Sequence, residues 1–487
     1  MEIFLIIIYS LFSTFIFFYS LVQLHLVYLF LRSKKQSKRD GCSLDIDPTV
    51  LPRVTVQLPI YNELYVVQRL IDAIAAFDYP AQLLEIQVLD DSTDETVALI
   101  AEKVQEWQAK GVDIQHIRRD NRKGFKAGAL AYGLDMAQGE LIAIFDADFL
   151  PRPDFLLKTV SAFEDKNIGV VQTRWEHLNE DYSLLTRLQA FALNAHFNIE
   201  QCGRNYGNHF INFNGTAGIW RKACILDAGG WSSDTLTEDL DLSYRAQLKG
   251  WKFKYLRSVG TPAELPVALN AMKTQQFRWT KGAAECTRKN LGKVWNAPQL
   301  HFPTKIHALF HLMNSFVFLC VIMISLLSLP MLWIKAHNPD YNLLFHFGSL
   351  FLVSLLILSY YYWVSFREDT PPGKGRFFRF LGKFVLFLAV TMGFSLHNAI
   401  AVFEGYIGKK TPFIRTPKFN VKSTGDTWKS NIYLRGKINS LTLIEGLLGL
   451  YFLFGLALGI YLEDYGLFPF HIMLSFGFSY IFIYSLV

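Results

Sequence analysis

The sequence predicts an α/β domain, with a mainly parallel sheet covered on both faces, inserted between membrane-spanning helices. Three observations predict it. The 487 residues are 51% hydrophobic and 15% aromatic, too long and too apolar a chain for one ordinary soluble domain. Short apolar runs alternate with helical stretches between residues 53 and about 257, as strands joined by crossover helices do. One long apolar segment precedes that region and several follow it.

The first apolar segment, 2–31, is longer than a signal-peptide core and carries neither a basic leader nor a small-residue cleavage site, so 1–32 reads as a retained transmembrane helix. Arg32, Lys34, Lys35, Lys38 and Arg39 follow at once. The positive-inside rule places that end, and the domain behind it, in the cytoplasm. The net charge of +6 sits largely beside apolar segments and is read as topology and lipid contact. No basic patch interleaved with aromatics points to nucleic acid. The cysteines at 42, 202, 224, 286 and 320 form no CxxC pair, so they indicate neither a disulfide framework nor a zinc site.

The α/β domain is expected over 50–280, with strands at 54–58, 86–89, 141–145 and 169–172. Past Trp279 the pattern changes. Lys281, Arg288, Lys289 and Lys293 stand among apolar residues, which suits an amphipathic helix over 281–300 lying on a membrane surface. In the membrane domain, 301–487, the stretches 306–334, 343–366, 438–461 and 466–487 are long enough to cross ~30 Å of hydrocarbon. The loop 409–437 carries Lys409, Lys410, Arg415, Lys418, Lys422, Lys429, Arg435 and Lys437 against Asp426 and belongs inside. Segment 377–407 can keep that loop inside only by lying in the interface or re-entering, and Lys383, His397 and Glu404 within it favour that choice over a crossing.

Acidic pairs fall where strands end, and ligands of open α/β sheets bind there. Asp146 and Asp148, two residues apart, can hold Mg²⁺ or Mn²⁺ on a diphosphate; an Asp-x-Asp is also common in turns, and its place after a strand favours the first reading. Asp90 and Asp91 end another strand and can accept hydrogen bonds from a base or ribose, with Ser92 or Thr93 capping the next helix and Asp94 and Glu95 serving its dipole. Arg119 to Leu130 runs from a basic loop into a small-residue helix, an anion site in which Lys123 or Lys126 either meets a diphosphate or is merely solvated. Thr237-Glu238-Asp239 is either a helix cap with its acids or a general base, Asp239, for an attacking hydroxyl. Gln275 and Arg278 share a helix face. Arg278 can clamp a diphosphate and Trp279 can stack on a sugar ring, or the two can anchor the helix at a membrane interface.

In order, Asp, Asp-x-Asp, Thr-Glu-Asp and Gln-x-x-Arg-Trp resemble the pattern of family 2 inverting glycosyltransferases of the cellulose-synthase superfamily, over about 50–300 and more loosely through 437. Gln87 to Asp94, Arg119 to Arg122, Ala127 to Leu130, Phe145 to Phe149, Phe213 to Gly218 and Leu248 to Phe253 look most like plant cellulose-synthase-like A glucomannan and mannan synthases. The resemblance implies a Rossmann-like GT-A domain. It implies nucleotide contacts at Asp90, Asp91, Lys126, Gln275 and Arg278, metal at Asp148 with Asp146, and a general base at Asp239. Acceptor contacts fall to Trp279, Glu238, Phe213, Asn214, Gly215 and Thr216. Phe419-Asn420-Val421-Lys422 is similar to the Phe-x-Val-Thr gating loop of cellulose synthases, which implies a gating role for Phe419, Val421 and Lys422, and departs from it in having Lys422 where Thr stands.

The expected activity is processive transfer of hexose from UDP-glucose or GDP-mannose to a β-linked glucan or mannan, with export through the chain's own helices and accessory export subunits left open. The competing reading is a single transfer to a lipid. A transporter or receptor with a degenerate sugar-binding domain would lack Asp239 or the metal pair, and neither is missing. The expected location is a bacterial inner membrane or a eukaryotic Golgi membrane, with the catalytic domain cytoplasmic.

Overall fold

The computed structural model describes residues 1–40, 51–341, 345, 348, 350–421, 425, 426 and 440–486. Helix α1 (Glu2–Asp40) has 39 residues and runs past the expected end at 32. At 1.5 Å per residue it spans roughly 58 Å, well beyond a bilayer core. Its polar end stays helical because it meets protein: Lys34 pairs with Glu368 at 2.7 Å and Gln36 accepts from the Tyr206 hydroxyl at 3.1 Å.

The α/β domain is one sheet of β1 (Val54–Ile60), β2 (Leu84–Asp90), β3 (Ile114–Arg118), β4 (Leu141–Ile144), β5 (Ile168–His177), β6 (Gly218–Arg221) and β7 (Lys252–Ala263). The strand order is β3-β2-β1-β4-β6-β5-β7. All neighbours are parallel except β6, which is antiparallel to β4 and β5. The parallel α/β expectation holds, but β3, β6 and β7 carry no continuous apolar run. In β3, only Ile114 and Ile117 are apolar; β6 has four residues; β7 is laced with Lys252, Lys254 and Arg257.

Helices α2 (Val67–Ala75), α3 (Thr96–Ala109), α4 (Phe125–Met136) and α5 (Phe155–Val160) connect the first strands. In α2, Val67, Leu70, Ile71 and Ile74 are buried, the spacing of one helix face. With Ile100 they pack on Val54, Val56, Leu58, Ile86 and Val88. On the other face, Ala129, Leu130 and Leu134 of α4 pack on Leu89, Ile142 and Ile144. Each such side chain contributes ~1.5–3 kcal/mol by leaving water, which keeps the strand ends rigid. The excursion between β5 and β6 holds α6 (Leu184–Ala195), a π-helical turn His196–Glu200 and α7 (Gln201–Tyr206); α8 (Lys222–Asp227) and α9 (Glu238–Leu248) precede β7.

Helix α10 (Leu269–Asn296) is continuous, so the expected surface helix at 281–300 is the second half of the helix that carries Gln275 to Trp279. One side of it packs closely on protein. Gly282, Ala283, Ala284 and Cys286 are buried because a Cβ at Gly282 would stand 2.5 Å from Thr237 Cγ2 and one at Gly405 would stand 2.7 Å from Ala284 Cβ. Small residues let backbones approach on both sides.

Beyond it come α11 (Phe302–Leu312), α12 (Phe316–His337), α13 (Leu350–Asp369), α14 (Arg376–Gly393), α15 (Ser395–Ile407), α16 (Ser440–Tyr461) and α17 (Phe468–Leu486). The expected crossing 306–334 is broken by a 3-10 turn at Met313–Ser315, and its apolar length lies in α12. Helix α13 occupies the described part of 343–366. Among the described residues, α1, α12, α16 and α17 are long and apolar enough to cross a membrane, and α14 with α15 forms a pair bent by 52°, either a broken span or a re-entrant loop. The polar residues of that pair meet the catalytic half of the chain: Lys383 lies 3.8 Å from Glu180, His397 Nε2 3.0 Å from the Lys273 carbonyl, and Glu404 3.1 Å from Lys281.

Candidate active site

The ends of β1, β2 and β4 open into a cleft lined by Asp91, Lys126, Asp146, Asp148, Asn214, Gly215, Glu238, Asp239, Gln275, Arg278 and Trp279. Residues 91 to 279 thus converge, as their strand-end and helix-start positions require.

Asp146 and Asp148 follow the buried Phe145 at the end of β4. The Asp146 amide donates to Thr216 Oγ1 at 2.9 Å, and its carboxylate takes Lys126 Nζ at 2.5 Å. Lys126 Nζ also donates to the Gly215 carbonyl at 2.9 Å. Asp148, 5% exposed, takes Lys418 Nζ at 2.6 Å. Two carboxylates held at one strand end are a hard-oxygen donor set that suits a divalent cation.

Asp239 and Glu238 occupy the first turn of α9. Burial and the neighbouring Glu238 charge push Asp239 up to about 7, against the pull of Lys126; burial also raises Glu238. Gly215, at φ +82°, leaves the room they need: a Cβ there would lie 3.0 Å from Asp239 Oδ2 and 3.5 Å from Lys126 Nζ. Thr237 does not cap α9, because its hydroxyl lies 3.4 Å from Cys286 Sγ. Ser92 and Thr93 do not cap α3 either; Asp94 Oδ1 accepts from the Thr96 amide at 3.0 Å.

The expected nucleotide and acceptor residues divide. Asp91 faces the cleft, with both oxygens held by Arg119 at 2.8 and 2.5 Å. Asp90 does not reach it. At 1% exposure it accepts from His116 Nε2 at 2.8 Å and the Ser92 amide at 2.8 Å. Burial works to raise its pKa, but these bonds outweigh burial and lower it. Phe213 is likewise no lining residue: it is fully buried against Trp220, with ring centroids 5.5 Å apart. Thr216 is buried and acts through the Asp146 amide. Each of these neighbours a true lining residue, and strand or turn alternation turns it inward.

The basic loop crosses the cleft as a strap, but not through the expected gating residues. Phe413, Arg415, Thr416 and Lys418 line the cleft. The Phe413 ring stacks on Phe125 and lies 4.6 Å from the Arg278 guanidinium; Arg278 donates to Thr416 Oγ1 at 3.0 Å; Arg415 lies 3.3 Å from Glu63. Phe419 and Val421 are buried behind the strap against Val267, Ala268 and Ala271, with the Phe419 amide donating to Glu264 at 2.8 Å. Lys422 lies outside the described residues.

Sequence reasoning missed Tyr61, Glu63 and Arg122. Arg122 sits 3.3 Å from the Tyr61 ring centroid, a flat platform at the cleft. Burial, with Asp148 and Asp146 adding to it, pushes Glu63 up to about 8 against Arg415 and Lys418. Tyr61 and Glu63 follow β1 directly, so their strand-end position was the available signal.

The model of the glycosyltransferase-like family 2 matches residues 52–282. Glucomannan 4-beta-mannosyltransferase 9 of Arabidopsis thaliana is 34% identical over 430 residues, covering 84% of this chain and 76% of the relative. The chain belongs to glycosyltransferase family 2. Another relative of this family 2 chain, probable glucomannan 4-beta-mannosyltransferase 4 of Oryza sativa subsp. japonica, is 39% identical over 334 residues, 64% of this chain. The match spans 61% of that relative, and only 46% of probable glucomannan 4-beta-mannosyltransferase 11 of rice. A solved mannosyltransferase of Pyrobaculum calidifontis, in complex with GDP-Man and Mn²⁺, shares the GT-A fold at a TM-score of 0.54 and 20% identity, over 83% of this chain and 100% of that one.

Proposed function

We propose that this chain is a membrane-embedded, inverting hexosyltransferase that extends a β-linked mannan or glucomannan, drawing on GDP-mannose ahead of UDP-glucose. The observation that carries the reading is Asp239, a half-buried carboxylate raised to about 7 that shares one cleft with Lys126, Arg278 and the Asp146–Asp148 pair. The plant relatives and the GDP-Man complex of the shared fold support the choice of donor.

In this reading the acceptor hydroxyl gives its proton to Asp239 as its oxygen bonds to the anomeric carbon. The sugar–phosphate bond breaks on the opposite face, which inverts the configuration. Arg278 and Lys126 take the charge that builds on the departing diphosphate. Asp146 and Asp148 would hold a Mg²⁺ or Mn²⁺, which supplies further charge neutralisation when bound. Tyr61 and Arg122 offer a stacking platform for the base, Asp91 holds the loop beside it through Arg119, and Trp279 offers a face to the acceptor sugar. The catalytic domain faces the cytoplasm, as the basic residues after α1 and in the strap support.

Membranes containing the chain, given GDP-mannose or UDP-glucose with Mn²⁺, test this. The expected product is an insoluble polymer released by a β-mannanase. A product extracted only into organic solvent would replace polymer synthesis with single transfer to a lipid, and no product from either donor would overturn the activity.

A further inference from the structure

Three histidines far apart in sequence meet where the membrane helices join the catalytic domain. His25 comes from α1, His209 from the turn after α7 and His307 from α11, and a ligating ring nitrogen of each lies within 4.8 Å of the other two. His25 Nδ1 and His307 Nε2 are 2.8 Å apart. The His209 and His307 rings stack with centroids 3.8 Å apart, and His209 Nδ1 lies 3.1 Å from Thr304 Oγ1.

Among the described residues one ring nitrogen of the group, His307 Nδ1, is left over besides the Nε2 that meets His25. A neutral imidazole has one N–H and one lone pair to satisfy. His307 is 4% exposed, yet its Nδ1 has no hydrogen-bond partner among the described residues, although buried polar groups are nearly always paired. None of the three rings bonds to a carboxylate among the described residues. The neighbouring cation is Arg204, which donates to the His307 carbonyl at 3.1 Å and is itself paired with Glu200 at 2.8 Å. Three neutral imidazoles suit a borderline transition ion, whereas the carboxylates of the cleft suit a hard one.

We propose that His25, His209 and His307 form a site for a divalent ion of the zinc class, separate from the cleft, that clasps α1 and α11 onto the catalytic domain. Zinc–nitrogen bonds of about 2.1 Å in tetrahedral geometry put ligand atoms about 3.4 Å apart. From the spacings present, the His25–His307 pair opens by about 0.6 Å, the widest pair closes by at most about 1.4 Å, and the His209 and His307 rings, stacked at 17°, turn out of parallel by rotation about χ2 so that both lone pairs meet the ion. The Thr304 hydroxyl is placed to orient the His209 ring, as outer partners of metal-bound histidines do.

The test uses the full chain, purified in detergent with no histidine tag, stripped with chelator, equilibrated with Zn²⁺ and desalted. Wild type is expected to retain about one zinc per chain, to melt higher with zinc than without, and to show visible d–d absorption when loaded with Co²⁺. His25→Ala, on the exposed side, and His209→Asn are expected to weaken zinc binding by at least about 100-fold and to lose the zinc-dependent shift in Tm. Asp148→Ala is expected to keep both. Absence of retained zinc and of Co²⁺ absorption in wild type would overturn the proposal, as would equal zinc retention by the two histidine variants or loss of zinc from Asp148→Ala.

Discussion

Replacing Gly215 with alanine isolates what the geometry of the base is worth. The glycine sits at φ +82° and its missing Cβ would stand 3.0 Å from Asp239 Oδ2, where ordinary contact begins at 3.4 Å. The carboxylate must therefore give by about 0.4 Å. An L-residue in the left-handed region also costs ~1–2 kcal/mol, which lowers Tm by roughly 2–8 °C for a domain of this size. Gly230 provides the control: it has φ +72° and nothing within 4 Å of its would-be Cβ. Gly230→Ala thus carries the same backbone strain without the clash. The expectation is that both variants lose similar Tm, while kcat for transfer from GDP-mannose falls by about 10- to 100-fold in Gly215→Ala alone, the scale set by sub-ångström misplacement of a reacting group. Scintillation counting of insoluble product, with Tm followed on the same preparation, reads both quantities. If Gly215→Ala keeps more than half of wild-type kcat, the Asp239 contact is immaterial; if Gly230→Ala loses as much activity, strain and not position is the cause.

Asp239→Asn is expected to lower kcat by about 10²–10⁴-fold with the donor KM nearly unchanged; steady-state kinetics retaining half the rate would remove Asp239 from the role of base. Because Asp239 is raised to about 7 and a base must be unprotonated to act, kcat should climb with pH and level off above about 7, and a profile flat from pH 5 to 8 would contradict this. Asp148→Ala should abolish activity, and wild type should lose it in excess EDTA and regain it with Mn²⁺; full turnover in EDTA would sink the metal assignment. Gly425→Cys in the strap loop should resist a membrane-impermeant thiol reagent in sealed right-side-out vesicles and react once they are opened; labelling in sealed vesicles would put that loop, and the bent pair α14–α15, on the other topology.

The sequence by itself determined the features that live in short windows. Apolar runs located β1, β2, β4 and the start of β5, and acids at strand ends and in a helix first turn marked Asp91, Asp146, Asp148 and Asp239, because strand ends and helix starts are local events with local signatures. Gln275 and Arg278 were legible as one face of a helix. Alternation could not tell which of two adjacent residues turns toward the cleft: Asp91 does and Asp90 does not, Asn214 does and Phe213 does not. That choice is made by what lies on the far side, His116 for Asp90 and Trp220 for Phe213. Nor does any window contain Lys418 and Asp148, which meet at 2.6 Å across 270 residues, or His25, His209 and His307. The basic loop had an electrostatic account of its own as a topology signal, sufficient without any partner. Charge pairs and ligand clusters of this kind exist only after the sheet, α10 and the membrane helices have packed, since a carboxylate selects its cation by proximity in space, and proximity is what tertiary structure creates.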